Sequence, residues 1–288
     1  MTDWDDSIQF LRGMGAAVFY GICSVSMAFL NKILMDIYGF DFPISILVIQ
    51  MGATIVILYA LRFLRFIELP GYTLKDGYLF ALPAFFYSAN SVLALLSLSH
   101  MNVAMYGVVK RCAPMVTLLL SVLVLKQGIP SALTLTSIIL LTIGCIIAGY
   151  GDLRFSLLGY LCGGLSNVTQ ALYLLLVQRY TEGAINTIRT LQLNCVNSFP
   201  LLLMAAVISG ETKQAVAFPH FTQKSFLLLF TTVVLCGILL NYSLFLCTSL
   251  TSALTTCVVG DFMGLKSLSL SLSLFLFSNI SDLGWESS

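Results

Sequence analysis

Long apolar runs alternate along the chain with short segments of polar residues, glycine and proline. Each run approaches the ~20 residues that an α-helix needs to cross a hydrocarbon layer. Turn-forming residues such as Pro70 with Gly71 and Gly128 with Pro130 stand between the runs. The pattern predicts nine membrane-spanning helices joined by short loops, at residues 11–35, 44–61, 77–97, 102–125, 132–150, 157–177, 191–208, 226–246 and 252–277.

The composition agrees with a membrane protein. Hydrophobic residues make up 58% of the chain and Asp, Glu, Lys and Arg only 9%, whereas a soluble domain carries about 25% charged residues. The eight cysteines fall in the apolar runs without the paired spacing of a metal site or a disulfide framework. We therefore expect an integral membrane protein without a metal site or cofactor. Its scattered cations form no basic face for nucleic acid.

The basic residues near the helix ends predict the orientation in the membrane, because cytosolic loops carry an excess of Lys and Arg. With residues 1–10 as a cytosolic tail, seven basic residues fall on the cytosolic side and four on the other. The seven are Arg12, Arg62, Arg65, Lys75, Lys126, Arg179 and Arg189, and the four are Lys32, Arg154, Lys213 and Lys224. The acidic start lacks the features of a secretory signal, so we expect the first helix to stay in the protein.

Two adjacent cations, Lys110 and Arg111, stand near the middle of the fourth apolar run. Each charged residue costs roughly 2.5–3.5 kcal/mol at a helix centre. A multiply charged anion in a water-filled cavity would neutralise them. Adjacent residues of a helix point about 100° apart, so one is expected to bind the anion and the other a neighbouring helix or carbonyl. The alternative is a pair of structural cations matched by distant Asp residues or backbone groups.

Several motifs in this chain resemble those of the nucleotide-sugar transporters of solute carrier family 35. They occur in the family's order between residues 11 and 260 and are most similar to the D-type, UDP-sugar branch. The matching segments are Leu30-Asn31-Lys32, residues 105–118 around the Lys-Arg pair, residues 149–153, Asn241-Tyr242-Ser243 and residues 252–260.

The resemblance implies an all-α polytopic membrane protein with the drug/metabolite transporter fold, in which two inverted five-helix repeats surround a central cavity. Residues 11–150 would form the first repeat and 151–277 an incomplete second repeat. The resemblance also implies a carrier of Golgi or endoplasmic reticulum membranes that exchanges cytosolic nucleotide sugar for luminal nucleoside monophosphate by alternating access. The halves show no similarity by eye, so the repeat is inferred from the resemblance alone.

Further candidates for substrate contacts are polar residues inside the apolar runs. Tyr87 and Asn90 match a Tyr-x-x-Asn pattern of the family and would stack on and hydrogen-bond a base or sugar, or only pack between helices. Tyr106 lies one turn before Lys110 and shares its face. Lys32, at the end of the first helix, would reach the cavity or extend to the headgroups.

The later helices carry less specific candidates. Asn194 falls where the GDP-mannose relatives have a Phe-Tyr-Asn-Asn motif that reads the base. Only one Asn of that motif is present, which counts against a guanine nucleotide. Tyr242, Thr255 and Thr256 are candidate polar lining of the last two helices, although Thr in a membrane helix often bonds its own i−4 carbonyl.

Gly159 and Gly163 form a small-xxx-small pattern in the sixth apolar run. This spacing lets the backbones of two membrane helices approach closely. We expect helix packing, and no ligand contact, from this stretch.

The chain departs from the family after Gly260. Relatives place a lysine three positions after this glycine and complete a tenth helix, whereas here Lys266 comes three residues later, with Asp261 almost beside it on a helix. Residues 278–288 form a polar tail. We therefore expect nine helices, with the tenth lost or altered, and hypothesise that such a chain is unstable or inactive in transport.

Other functions fit the sequence less well. A channel needs rings of like residues, which one Lys-Arg pair supplies only in an oligomer. An enzyme needs a nucleophile with a base or a metal cluster, and the two histidines, His100 and His220, lie in predicted loops without ligand spacing. The alternative that stays open is a non-transporting membrane protein on a carrier fold, acting in trafficking or by pairing with an intact carrier. A homodimer is open as well.

Overall fold

The structure is a computed structural model that describes residues 2–101, 103–124, 126, 132–150, 156–181 and 186–260. Its elements are all helices within these ranges. They are α1 (Thr2–Tyr38), α2 (Pro43–Phe63), α3 (Leu74–His100), α4 (Val103–Lys110), α5 (Ala113–Val124), α6 (Ala132–Tyr150), α7 (Leu157–Thr181), α8 (Thr187–Ile208), α9 (Glu211–Val216), a 3-10 turn (Pro219–Thr222), α10 (Lys224–Leu250) and α11 (residues 253–260).

The described helices confirm an all-α polytopic membrane protein. Seven of them are long and apolar enough to cross a membrane, with α4 and α5 together forming one span at Met105–Leu123, and α6 adds a shorter apolar helix at Ala132–Ile147. Eight of the nine apolar runs are thus helical. The ninth run is described only as far as residue 260, so the count of nine helices stays a prediction, and Lys266 and the tail at 278–288 lie outside the described residues.

The helices pair in a pattern that is symmetric between the two halves of the chain. The most extensive contacts join α3 with α7 and α1 with α10, followed by α2 with α8. In order of spans these are the third with the sixth, the first with the eighth, and the second with the seventh. In two repeats of five spans, the first span is equivalent to the sixth, the second to the seventh and the third to the eighth. Exchanging equivalent spans turns the pair of third and sixth into the pair of eighth and first, and it leaves the pair of second and seventh unchanged. This is the pairing expected of two repeats related by a two-fold axis.

The central helices α2 and α8 are each held at their start by the segment that follows the other. The backbone N–H groups of Ile44 and Ser45 donate to Glu211 Oε2 at 3.0 and 3.1 Å, where α2 has no side-chain cap of its own. In the first turn of α8, Arg189 donates to Pro70 O at 3.0 Å and pairs with Asp76 at 2.6 Å. The two contacts are equivalent by position in the repeats and tie the halves together at both membrane faces.

The core lies mainly between the two halves. One cluster of buried side chains joins α2, α7 and α8, and includes Met51, Leu175 and Leu202. A second cluster is aromatic and lies at the face where α2 begins, with Phe40 fully buried and Phe218 in edge contact with it at 5.0 Å between ring centroids. Both clusters combine residues of the two halves and so join them.

Candidate functional site

A cavity of about 420 Å³ lies between helices of both halves. The first half contributes α1, α2, α3 and α4 to its walls, and the second contributes α7, α10 and α11. Lys110 is the only charged side chain among the described residues that line it. The remaining polar lining consists of tyrosine, serine, threonine and amide side chains: Tyr20, Ser24, Tyr87, Asn90, Ser91, Tyr106, Gln170, Tyr173, Asn241 and Thr256.

Neutral oxygen atoms surround the Lys110 ammonium. Nζ donates to Ser166 Oγ at 2.6 Å, to Gln170 Oε1 at 2.9 Å and to Asn90 Oδ1 at 3.2 Å. Ser166 also donates to Asn90 Oδ1 at 2.8 Å, which closes the network. These acceptors fix the position of the ammonium but carry no charge that would cancel its own. Lys110 is therefore the cation that the described lining of the cavity offers to a solute.

The fourth span is interrupted directly after Lys110, and the sequence expectation of a continuous helix over 102–125 is wrong here. Pro114 has no N–H to donate to the carbonyl of Lys110, four residues earlier, and its ring disfavours a regular helix at that point. The chain instead turns at Arg111 and Cys112. The N–H of Cys112 donates to Val109 O at 3.1 Å, which is a tighter i−3 bond. Lys110 is thus the last residue of α4 and lies at a break in the middle of the membrane span.

Helix α7 packs closely against this break, as the small-xxx-small pattern predicts. A Cβ on Gly163 would lie 2.8 Å from Val109 Cγ1 and 2.9 Å from Ser97 Oγ, so only glycine permits the approach. Ser97 in turn donates to Gly159 O at 2.8 Å. One turn beyond Gly163, the amide of Asn167 donates to Val109 O at 2.7 Å. The expected packing role of the two glycines is confirmed.

Four tyrosine side chains form part of the cavity wall. Tyr87 and Tyr173 meet edge to face, with ring centroids 5.1 Å apart, and both line the cavity. Tyr106 and Tyr20 line it from α4 and α1. Aromatic rings of this kind offer flat, weakly polar surfaces that bind other planar rings by stacking or edge contact.

The family model described as the Triose-phosphate Transporter family matches residues 13–280. The chain belongs to this family. Among curated relatives, UDP-galactose/UDP-glucose transporter 7 of Arabidopsis thaliana is 32% identical over 258 residues, covering 88% of this chain and 79% of the relative. Nucleotide sugar transporter SLC35D2 of Mus musculus is 34% identical over 248 residues, covering 85% and 75%.

These matches confirm the resemblance to D-type nucleotide-sugar transporters, and the family fits the drug/metabolite transporter fold. A solved crystal structure agrees at the level of the fold. It superposes on 90% of this chain and 97% of its own with a TM-score of 0.53, at 12% sequence identity.

The structure brings five of the ten site residues predicted from the sequence to one cavity. Lys110, Tyr106, Tyr87, Asn90 and Thr256 all line it, although the hydroxyl of Thr256 also donates to the i−4 carbonyl, as the alternative interpretation expected. The position of these five residues is shown, and their contacts with a ligand stay predictions.

Arg111 faces away from the cavity. It lines a separate groove between α4 and α6, together with Leu140, Gly144 and Cys145. The sequence expectation that the two adjacent cations diverge holds, and the structure directs Lys110 inward and Arg111 sideways. Arg111 follows the last residue of α4, where the chain leaves the regular helix, and its side chain lies on the side that packs against α6.

Three of the four remaining candidates, Tyr242, Thr255 and Asn194, do not line the cavity. Tyr242 packs against the core, and Thr255 is exposed and shares a hydrogen bond with Ser252 at the start of α11. Asn194 is fully buried in α8, and neither atom of its amide has a hydrogen-bond partner among the described residues. Lys32 lies in α1, but its side chain is outside the described residues. The substrate roles of all four stay predictions, and the described arrangement gives no support to those of Tyr242, Thr255 and Asn194.

Sequence reasoning missed several lining or supporting residues, above all Ser166, Gln170 and Tyr173 of α7. A signal was present, because Ser166 and Gln170 are polar residues one turn apart in an apolar span and so share one face. The described residues contain no group of three or more His, Cys, Asp or Glu side chains suited to a metal ion.

Proposed function

We propose that this multi-pass membrane protein transports nucleotide sugars, with UDP-sugars as the preferred class. The observation that carries the proposal is the Lys110 ammonium, which is held by neutral oxygens in a cavity between the two halves. The curated relatives named above as UDP-sugar and nucleotide-sugar transporters match over most of their length and support the same substrate class.

The cavity offers one type of contact for each part of such a solute. The diphosphate carries about two negative charges and would accept charge-assisted hydrogen bonds from Lys110. The uracil ring would lie against Tyr87 or Tyr173. The amides of Gln170 and Asn241, which also line the cavity, would bond ribose or sugar hydroxyl groups. The cavity therefore combines a cation, aromatic surfaces and uncharged hydrogen-bonding groups, as a nucleotide sugar requires.

We further propose alternating access with exchange for a nucleoside monophosphate. The monophosphate shares its base, ribose and first phosphate with the nucleotide sugar, so the same contacts would serve the return step. The cavity between two symmetric halves suits a rocking motion that exposes it to each side in turn. From the distribution of basic residues we place the N-terminus in the cytosol. From the resemblance to nucleotide-sugar transporters we place the protein in Golgi or endoplasmic reticulum membranes.

Uptake into liposomes tests the proposal. The purified full chain is reconstituted with UMP inside, and uptake of labelled UDP-, GDP- and CMP-sugars is measured from outside. We expect uptake of UDP-sugars above the others, with a strong dependence on the enclosed UMP. Absence of uptake, together with absence of thermal stabilisation by every nucleotide sugar, would refute transport and favour the non-transporting alternative.

A further inference from the structure

We propose that Asn167 is a positioning residue for Lys110, holding the peptide group before the lysine so that the ammonium points into the cavity. The inference rests on the proposed function and assigns part of the phosphate contact to a side chain that does not line the cavity. It begins with the break in the fourth span.

The end of α4 needs a partner from outside the helix. Pro114 removes one intrahelical donor, and the N–H of Cys112 bonds Val109 O with the tighter i−3 geometry. Carbonyl groups near such a break lose regular partners and are free to reorient unless another group binds them. Because Lys110 directly follows Val109, movement of this carbonyl would rotate the peptide group that carries the lysine.

Asn167 supplies that partner. Its side chain is 1% exposed, and Nδ2 lies 2.7 Å from Val109 O. Gly163, one turn earlier, makes this distance possible because α7 and α4 meet there without a side chain between them. The amide oxygen of Asn167 is buried without a partner among the described residues. Burying an amide with only one of its two polar atoms hydrogen-bonded costs stability, so packing alone does not explain an asparagine here. The bond to Val109 O does explain it.

Helix α7 thus holds Lys110 at both of its ends. Asn167 binds the backbone just before the lysine, while Ser166 and Gln170 bind the ammonium at 2.6 and 2.9 Å. With both the backbone before Lys110 and its ammonium held in place, the long side chain has few conformations that join the two. If the backbone end is released, the ammonium is expected to sample several positions, and phosphate binding loses its preorganised partner.

The consequence is selective for phosphate. Loss of the Asn167 bond should weaken ligands that use Lys110 and leave contacts to the nucleoside unchanged. We expect about a tenfold increase in the Kd of UDP and UMP, and no change in the weaker binding of uridine. A residue that served packing alone would weaken all three ligands by the same factor.

The experiment measures competition by UDP, UMP and uridine against a labelled UDP-sugar on the purified full chain. The variant Asn167→Leu keeps the volume and removes the donor, and its melting temperature should equal or exceed that of the wild type. Thr169→Ala is the matched control, because Thr169 lies on the same helix and its hydroxyl bonds only carbonyls of its own helix in the described structure. Lys110→Ala gives the full loss of phosphate preference for comparison.

A further variant keeps the test decisive if Asn167→Leu folds poorly. The Pro114→Ala substitution lets the helix continue through the break, so that the N–H of Ala113 can bond Val109 O in the regular i−4 pattern, and Asn167→Ala should cost less phosphate affinity in that background than in the wild type. Equal losses for UDP and uridine in Asn167→Leu would overturn the inference, as would unchanged UDP binding while Lys110→Ala loses it. If the wild type binds no nucleotide at all, the proposed function fails together with the inference.

Discussion

Lys110 is held in the membrane without a carboxylate among the described residues that line its cavity. Asn90, Ser166 and Gln170 accept its hydrogen bonds through neutral oxygens. A carboxylate in their place would form an ion pair and weaken the attraction for a second anion, whereas amide and hydroxyl dipoles stabilise the ammonium without adding a negative charge of their own. At the scale of a single residue, this arrangement suits a site that binds and releases an anion.

The two adjacent cations provide a direct test at this scale. We expect Lys110→Gln to raise the Kd of UDP by about tenfold or more, because charge-assisted hydrogen bonds to phosphate are lost. Arg111→Gln should change it by less than about twofold, since Arg111 lines the groove between α4 and α6. Equilibrium binding of UDP to the purified variants measures both, and each serves as the control of the other. Equal losses would contradict the placement of Arg111 outside the cavity.

At the scale of an element, α7 is the scaffold of the site. Its glycines let α3 and α4 approach, and the polar residues that follow reach the network around Lys110. The site therefore depends on the distance between two helix backbones, which a single methyl group can change. Neighbouring glycines of α7 differ sharply in this respect.

The pair Gly163 and Gly164 allows a matched test. A Cβ on Gly163 would contact Val109 at 2.8 Å and Ser97 at 2.9 Å, whereas a Cβ on Gly164 would meet no atom within 4 Å. We expect Gly163→Ala to destabilise the protein by about 1–3 kcal/mol through overpacking, and Gly164→Ala to be neutral or slightly stabilising because alanine favours helix. Thermal unfolding in detergent measures both variants. A similar effect of the two substitutions would contradict the close contact of α7 with α4.

At the scale of the whole molecule, the two halves are tied at both membrane faces. Glu211 binds the start of α2. Arg189 of α8 binds Pro70, which lies between α2 and α3, and Asp76, which lies in the first turn of α3. Neither contact is predictable from local sequence, because each joins residues more than a hundred positions apart. Any motion that opens the cavity to one side must either break one of these contacts or leave α2 and α8 together as a fixed pair.

The contact at Glu211 predicts a pH dependence of stability. Burial raises the pKa of this carboxyl above its usual 4.5, and Asp41 nearby adds to the shift, while the N–H groups of α2 oppose it. The folded protein therefore binds this proton more tightly than the unfolded chain, so stability should fall as pH rises from about 4.5 through the folded-state pKa. Glu211→Gln keeps an acceptor for Ile44 and Ser45 and should lack this part of the pH dependence. Melting temperatures of both proteins across pH 4 to 8 check the prediction, and parallel profiles would refute it.

The amino-acid sequence alone determined the membrane character and the helical class of this protein. A span in lipid must satisfy its backbone hydrogen bonds internally, so the length and hydrophobicity of each run fix a helix without reference to its neighbours. The same local rules placed a cation in the fourth span and a close-packing glycine pair in the sixth. The motifs in their order identified the family.

Only the tertiary structure decided which polar residues meet. Lys110 and Arg111 are equivalent candidates in the sequence, and their separation into a cavity and a groove follows from how α4 lies between α3, α6 and α7. Ser166, Asn167 and Gln170 act at the site because Gly163 brings two backbones together. Such contacts depend on packing between segments far apart in the chain, whereas hydrophobic patterns report only the neighbours along one helix.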